Sequence, residues 1–273
     1  MADTIGRVAG KVALVTGAAR GQGRAEAVLL AANGADVIGV DACAAFPTVA
    51  YRPATPDDLA ETARLVRKES RRFVGAQVDV RDYAALERVV TEGTAELGRL
   101  DIVVANAGIS TWGRVWELSP EEWQVMIDIN LTGVWHTLRA AIPTMIEQAS
   151  GGSIIITSSV GGLKALPGQA HYVSAKHGLV GLTTTAAVEL GPYNIRVNSI
   201  HPWGVDTAMV EGSDIEGLLA ANPTYAPSYA SALSDPALAS PLDIAQTVLY
   251  LASDESRCVT GVQLPVDMGA TKV

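Results

Sequence analysis

Thr16-Gly17-Ala18-Ala19-Arg20-Gly21-Gln22-Gly23 decides the fold because of what stands on either side of it. Before it, Lys11-Val12-Ala13-Leu14-Val15 is an apolar run with the look of a buried strand. After it, Arg24-Ala25-Glu26-Ala27-Val28-Leu29-Leu30 is rich in helix formers. Glycines in such a turn permit a tight bend and bring backbone N–H groups and a helix N-terminus close to a pyrophosphate. A glycine cluster alone says little, but strand, turn and helix in succession point to a bound nucleotide.

The next strand candidate, Ala35-Asp36-Val37-Ile38-Gly39-Val40, ends at Asp41. A carboxylate about twenty residues past the glycines accepts hydrogen bonds from adenosine ribose hydroxyls and repels a 2′-phosphate, which favours NAD over NADP. Arg20 argues the other way, because a guanidinium beside Gly21 can pair a phosphate. Asp41 carries more weight, since carboxylate and phosphate would compete for one position. Further strand candidates at 73–78, 100–105, 153–158, 194–200 and 263–266 alternate with helix-like stretches. That alternation predicts parallel strands joined by right-handed helical crossovers. No linker divides the 273 residues, so they read as one domain, 1–273.

Tyr172 and Lys176 stand four apart in His171-Tyr172-Val173-Ser174-Ala175-Lys176, with Ser159 thirteen residues upstream. On a helix this spacing stacks ammonium and phenol on one face. A free phenol, with a pKa of about 10, is a poor base; a neighbouring cation draws it toward the range where proton transfer is efficient. Ser159 closes the strand-like Ser153-Ile154-Ile155-Ile156-Thr157-Ser158. That is the carboxyl end of a strand, where open α/β sheets bind ligands, and a hydroxyl there can hold the oxygen of an alcohol or ketone.

These motifs resemble those of the short-chain dehydrogenase/reductase family. Thr16-Gly17, Gly21 and Gly23 match its cofactor turn, and Ala105-Asn106-Ala107-Gly108 its Asn-Asn-Ala-Gly segment with the first Asn replaced by Ala. Asn130, Ser159, Tyr172 and Lys176 match its catalytic tetrad. The resemblance implies an α/β chain with a doubly wound Rossmann fold and a mostly parallel, seven-stranded sheet. It implies NAD contacts from Gly17, Arg20, Gly21, Gln22, Gly23, Asp41, Asp79 and Val80, then from Asn106, Ala107, Gly108, Tyr172 and Lys176. Pro202, Gly204, Val205 and Thr207 complete the set. It also implies a homotetramer, and an Asn130 that holds a water beside Lys176. One departure is Trp203 in His201-Pro202-Trp203-Gly204, where the family has glycine.

A narrower resemblance is to the mycofactocin-dependent, carveol dehydrogenase-like branch. It rests on Gly17-Ala18-Ala19-Arg20-Gly21-Gln22-Gly23-Arg24, on the long connection containing Ala54-Thr55-Pro56-Asp57-Asp58-Leu59, and on Val104-Ala105-Asn106-Ala107-Gly108-Ile109. Ala175-Lys176-His177-Gly178 and the stretch from Val259 to Asp267 complete it. It implies an oxidoreductase that interconverts a secondary alcohol and a ketone, with NAD kept in place and re-oxidised by mycofactocin, a peptide-derived redox carrier. Two alternatives stay open: a freely exchanging NAD(P)-dependent ketoacyl-type reductase, and a non-catalytic nucleotide-binding scaffold, which the intact tetrad opposes.

A net charge of −9 argues against nucleic acid as a partner. The basic run Arg64-Leu65-Val66-Arg67-Lys68-Glu69-Ser70-Arg71-Arg72 has helical spacing and reads as a solvated face. Met1-Ala2-Asp3-Thr4 lacks the form of a signal, no apolar run is long enough to span a bilayer, and Cys43 and Cys258 form no framework. The expectation is a cytoplasmic protein without a metal, the four histidines having no ligand spacing. Ser119-Pro120-Glu121-Glu122 is a capping box opening a helix that carries Asn130 and bends at Pro143. Trp112 and Trp203 are candidates to roof the nicotinamide end, and residues 206–240, with Met209, Tyr225 and Tyr229, form a substrate loop. The connection 42–58, with Pro47, Pro53, Pro56, Phe46 and Tyr51, is placed to cover the adenosine half of NAD.

Overall fold

Alternation along β1, Val12–Thr16, sends Ala13 and Val15 to one face of the sheet and Val12 and Leu14 to the other. The computed structural model describes residues 6–211 and 215–273, so Met1 to Thr4, read above for a signal, lie outside the described residues. After β1 come α1 (Gly21–Ala32), β2 (Asp36–Asp41), α2 (Pro56–Lys68), β3 (Phe73–Gln77), α3 (Tyr83–Leu97) and β4 (Ile102–Ala105). Then follow α4 (Pro120–Ile127), α5 (Gly133–Gln148), β5 (Gly152–Thr157), α6 (Ala170–Leu190) and β6 (Ile195–Pro202). Two short helices, α7 (Ala208–Glu211) and α8 (Ile215–Ala221), precede α9 (Pro241–Ala252) and β7 (Gln263–Val266).

The sheet has seven strands in the order β3-β2-β1-β4-β5-β6-β7, and every pair is parallel, not just most of them. Ala13 and Val15 join Ala27, Leu30, Leu59, Val66, Ile244 and Val248, so α1, α2 and α9 cover one face. Val12 and Leu14 join Leu86, Val90, Val134, Leu138, Leu179 and Ala186, so α3, α5 and α6 cover the other. Burying both faces explains why the strands read as continuous apolar runs. The chain reverses direction across the sheet between β1 and β4, and a cleft opens at the carboxyl ends of the strands there. No helix among the described residues is long and apolar enough to cross a membrane.

Two expectations need correction. The Ser119 box does cap a helix, with Glu122 N–H on Ser119 Oγ at 3.2 Å and Ser119 N–H on Glu122 Oε2 at 2.8 Å. That helix is interrupted at Asp128–Thr132 by a five-residue π turn, while Pro143 lies within α5. The 206–240 stretch is not one loop: it contains α7, α8 and the 3₁₀ segment Pro223–Tyr229, with 212–214 outside the described residues.

Candidate active site

The turn after β1 keeps its shape through two left-handed glycines, Gly17 at φ 70° and Gly21 at φ 55°. A Cβ on Gly17 would come within 2.9 Å of Asn106 Nδ2 and 3.0 Å of Ala107 Cα, so the turn lies directly against the end of β4. Thr16 locks the two together: its Oγ1 accepts from Asn106 N–H and Ala107 N–H at 3.1 Å each, and its carbonyl accepts from Asn106 Nδ2 at 3.0 Å. Gly17, Arg20, Gly21 and Gln22 line the cleft here, opposite Asn106, Ala107 and Gly108. Gly23 does not. A Cβ there would fall 2.1 Å from Gly17 O, so its smallness seats α1 against the turn and leaves it behind the wall.

Asp41, at the end of β2, lines the same cleft. Its Oδ2 accepts from Ala19 N–H at 3.1 Å and its Oδ1 from Cys43 N–H at 2.9 Å, which fixes the carboxylate and leaves each oxygen lone-pair capacity for a ribose hydroxyl. Nη1 of Arg20 and Oε1 of Gln22 are shielded from solvent and have no hydrogen-bond partner among the described residues. A buried donor and acceptor beside a glycine turn fit a dinucleotide, whose phosphates and sugars carry complementary groups. Burial, and Arg52 nearby, pull the Arg20 pKa down, and its guanidinium sits 5.8 Å from the centre of the Tyr51 ring. Asp79 and Val80 form the wall beyond β3, with the Asp79 carboxylate paired to Arg81 at 2.7 Å.

The tetrad closes the other end. Asn130 sits fully buried in the π turn, where its Nδ2 donates to Met126 O at 3.1 Å and its Oδ1 accepts from Ile109 N–H at 3.2 Å. The wide turn carries this side chain inward, a common use of such turns at functional sites. Gly108 makes room for it, because a Cβ there would lie 2.7 Å from Asn130 Oδ1. Lys176 is buried, its Nζ donating to Thr157 O at 2.9 Å and lying 5.6 Å from the Tyr172 ring centre. Ser159 Oγ accepts from Gly161 N–H at 3.1 Å, and its hydroxyl faces the Tyr172 phenol across the cleft, close enough to favour the phenolate.

The electrostatics differ from what spacing suggests. Burial raises the Tyr172 phenol above its ordinary pKa, and the group opposing that rise is the Ser159 hydroxyl. Burial likewise pulls Lys176 down to about 7. Desolvation governs both groups because neither ammonium nor phenolate is well hydrated in the cleft. Lys176 is held by a backbone carbonyl, a partner that no side-chain pattern reveals.

Beyond β6, Pro202, Trp203, Val205, Thr207 and Met209 line the cleft, whereas Gly204 does not. Its carbonyl accepts from Ala239 N–H at 2.9 Å, which ties it to the 206–240 stretch instead. Trp203 and Trp112 both pack on Tyr229, at 6.1 Å and 5.9 Å between ring centres, and the Tyr229 hydroxyl donates to Pro167 O. Tyr225 lies on the same 3₁₀ segment but does not line the cleft. His201, one of the four histidines without ligand spacing, holds the Ser159 carbonyl with its ring.

A nucleotide turn at one end of a cleft and an Asn-Ser-Tyr-Lys group at the other define a class, and the chain belongs to the short-chain dehydrogenase/reductase family. The family model that matches, over residues 17–271, is described as enoyl-(acyl carrier protein) reductase. An NAD-dependent oxidoreductase of Mycobacterium tuberculosis is 50% identical over 269 residues, covering 98% of each chain. The (-)-trans-carveol dehydrogenase of Rhodococcus erythropolis is 43% identical over 274 residues, covering 97% of this chain and 99% of that one. Among solved structures, carveol dehydrogenase from Mycobacterium avium in complex with NAD superposes with a TM-score of 0.92 at 50% identity, over 98% of this chain and 100% of that one.

Proposed function

We propose that this protein is an NAD-dependent dehydrogenase that interconverts a secondary alcohol and a ketone. The observation that carries the reading is the gathering of Asn130, Ser159, Tyr172 and Lys176 at the end of a cleft whose other end is the Gly17–Gln22 turn and Asp41. NAD, when bound, supplies the hydride acceptor. In oxidation Tyr172 takes the hydroxyl proton while Ser159 Oγ holds the substrate oxygen, the two groups lining the same end of the cleft with the Ser159 hydroxyl favouring the phenolate. With NAD bound, Lys176 would hold the nicotinamide ribose and pass the proton onward, and Asn130 would anchor the water of that relay. Gly17, Gly21, Arg20 and Gln22 would receive the pyrophosphate side, Asp41 the adenosine ribose, and Asp79 and Val80 the adenine, all of them lining the one cleft.

Replacing Asp41 by Ser is expected to relax selectivity against NADP by on the order of tenfold or more, since a carboxylate and a phosphate at contact distance repel by a few kcal/mol even at a high effective dielectric. The ratio of kcat/KM for the two nucleotides checks this. An unchanged ratio would move the selectivity to Arg20.

The relationship to carveol dehydrogenases supports a finer reading, in which NAD is retained through turnover and mycofactocin recycles it. The 42–55 connection has the form of a strap. Phe46 and Val49 pack with Val80, Ile109, Met126 and Ile129, and the Arg81 guanidinium lies 5.0 Å from the Phe46 ring centre. Tyr51 crosses to the far wall, its hydroxyl accepting from Ser110 N–H at 3.4 Å. Purified protein is therefore expected to release NAD only on denaturation, seen by mass spectrometry, and to form NADH for a single turnover with alcohol. Steady turnover with free NAD, from protein purified empty, would defeat this finer reading while leaving the dehydrogenase assignment intact. Exposed Trp123, Trp135 and Val188, on α4, α5 and α6, support self-association, and a homotetramer is part of the proposal.

A further inference from the structure

The peptide after β5 has lost its ladder by the time it reaches Ser159. The last strand-to-strand bond there is Ser158 N–H to Ile200 O at 2.9 Å. Ser159 is extended, at φ −170° and ψ 166°, and its carbonyl accepts from Gly162 N–H at 2.8 Å within its own turn. Among the described residues, the side chain that ties the Ser159 carbonyl to the sheet is His201, on β6, whose Nδ1 lies 2.7 Å from Ser159 O.

A carbonyl oxygen only accepts, so Nδ1 carries the proton. Nε2, 2.9 Å from Ser199 Oγ, then offers its lone pair, and the Ser199 hydroxyl donates. The ring is wholly buried and both nitrogens are engaged, which fixes tautomer and orientation together. Burial also keeps it neutral, with a pKa of about 4. A histidine used only to fill space between β5 and β6 has no need of a fixed donor aimed at this one carbonyl.

We propose that His201 is a positioning residue for hydride transfer: through the Ser159 carbonyl it sets where Ser159 Oγ meets the substrate oxygen and Tyr172. The inference rests on the reading of Ser159 given under the proposed function. His201 does not line the cleft, and in this proposal it acts on the reaction through Ser159. A displacement of about 1 Å at such a group can cost on the order of 10²-fold in rate without loss of binding.

Single-turnover NADH formation by the NAD-loaded protein, with carveol as the probe alcohol, tests this in a double-mutant cycle. His201→Leu removes the donor, His201→Gln reaches only toward Ser199, and His201→Asn places an N–H where Nδ1 stood. The expected result is a fall of about 10–100-fold in the Leu and Gln variants, with retained NAD unchanged, and recovery to within a few-fold of wild type in Asn. In a Ser159→Ala background the same His201 changes should cost almost nothing more, because the group being positioned is gone.

Equal losses in both backgrounds, or an Asn variant as slow as Leu, would overturn the proposal in favour of a packing role. The Gln and Asn variants keep the comparison informative if Leu fails to fold. A Ser159→Ala protein at the full wild-type rate would instead remove the reading of Ser159. Wild-type protein that forms no NADH with any alcohol would remove the dehydrogenase assignment, and this inference with it.

Discussion

Tyr172→Phe is expected to slow NADH formation about 10²–10⁴-fold, the usual contribution of a general base, while leaving bound NAD in place. The change deletes one oxygen and keeps the ring that packs beside Val80, Ile109 and Met126. No neighbour can take over. Lys176 Nζ is tied to Thr157 O at 2.9 Å and lies 5.6 Å from the Tyr172 ring centre, and Ser159 Oγ, lacking a base of its own, accepts from Gly161 N–H at 3.1 Å. Because burial raises the phenol, oxidation should also gain speed as pH rises, and the Phe variant should lose that rise. A Phe variant that keeps more than about a tenth of the wild-type rate would place the base elsewhere.

The second large effect concerns stability. Glu26 is wholly buried on α1, neither carboxyl oxygen has a hydrogen-bond partner among the described residues, and burial lifts its pKa to about 8. The folded protein therefore holds this proton while the unfolded chain releases it near pH 4 to 5. Stability from the group is fully present below the unfolded value, drains away as pH rises toward 8, and is then constant. At pH 7 the loss amounts to up to about 3 kcal/mol, taking about 1.4 kcal/mol for each unit between the unfolded value and the working pH. Glu26→Gln, close in shape to the protonated acid, should be more stable than wild type by up to that amount at neutral pH and equal to it near pH 4. Thermal unfolding followed from pH 4 to 8 reads the difference. Two curves running parallel across that range would show that Glu26 is relieved by a partner in solution.

Most of the scaffold is legible in side-chain type. The β-branched runs place all seven strands to within two residues at each end, and the glycine turn, Asp41 and the tetrad fall where their motifs put them, on one cleft. What escapes is whatever depends on main-chain atoms. The carbonyl of Thr157 that holds Lys176, and the carbonyl of Ser159 held by His201, leave no mark in residue identity. Gly23 and Gly204 match the motif without facing the cleft, because glycine is demanded by close packing as well as by ligands. In the 206–240 stretch the 3₁₀ segment Pro223–Tyr229 is hidden among Pro, Ser and Tyr, whose propensities oppose a helix, whereas α8, Ile215–Ala221, is built mostly of helix formers but is too short to stand out from the loop residues around it.

The π turn at Asp128–Thr132 also governs the phase of everything after it. An α-helix turns about 100° per residue, so one surplus residue rotates all later side chains by that angle. The stripe Val134, Leu138, Ala141 and Met145 meets the sheet only with that rotation included. The same surplus residue that carries Asn130 inward thus keeps the following helix in step with the core. Along this stretch Asn130 and Gly133 are held by their contacts, Gly133 because a Cβ there would lie 2.5 Å from Val80 Cγ2, and the count of residues between α4 and α5 is held by the phase of the helix that follows. Length is itself a structural requirement here, alongside side-chain identity.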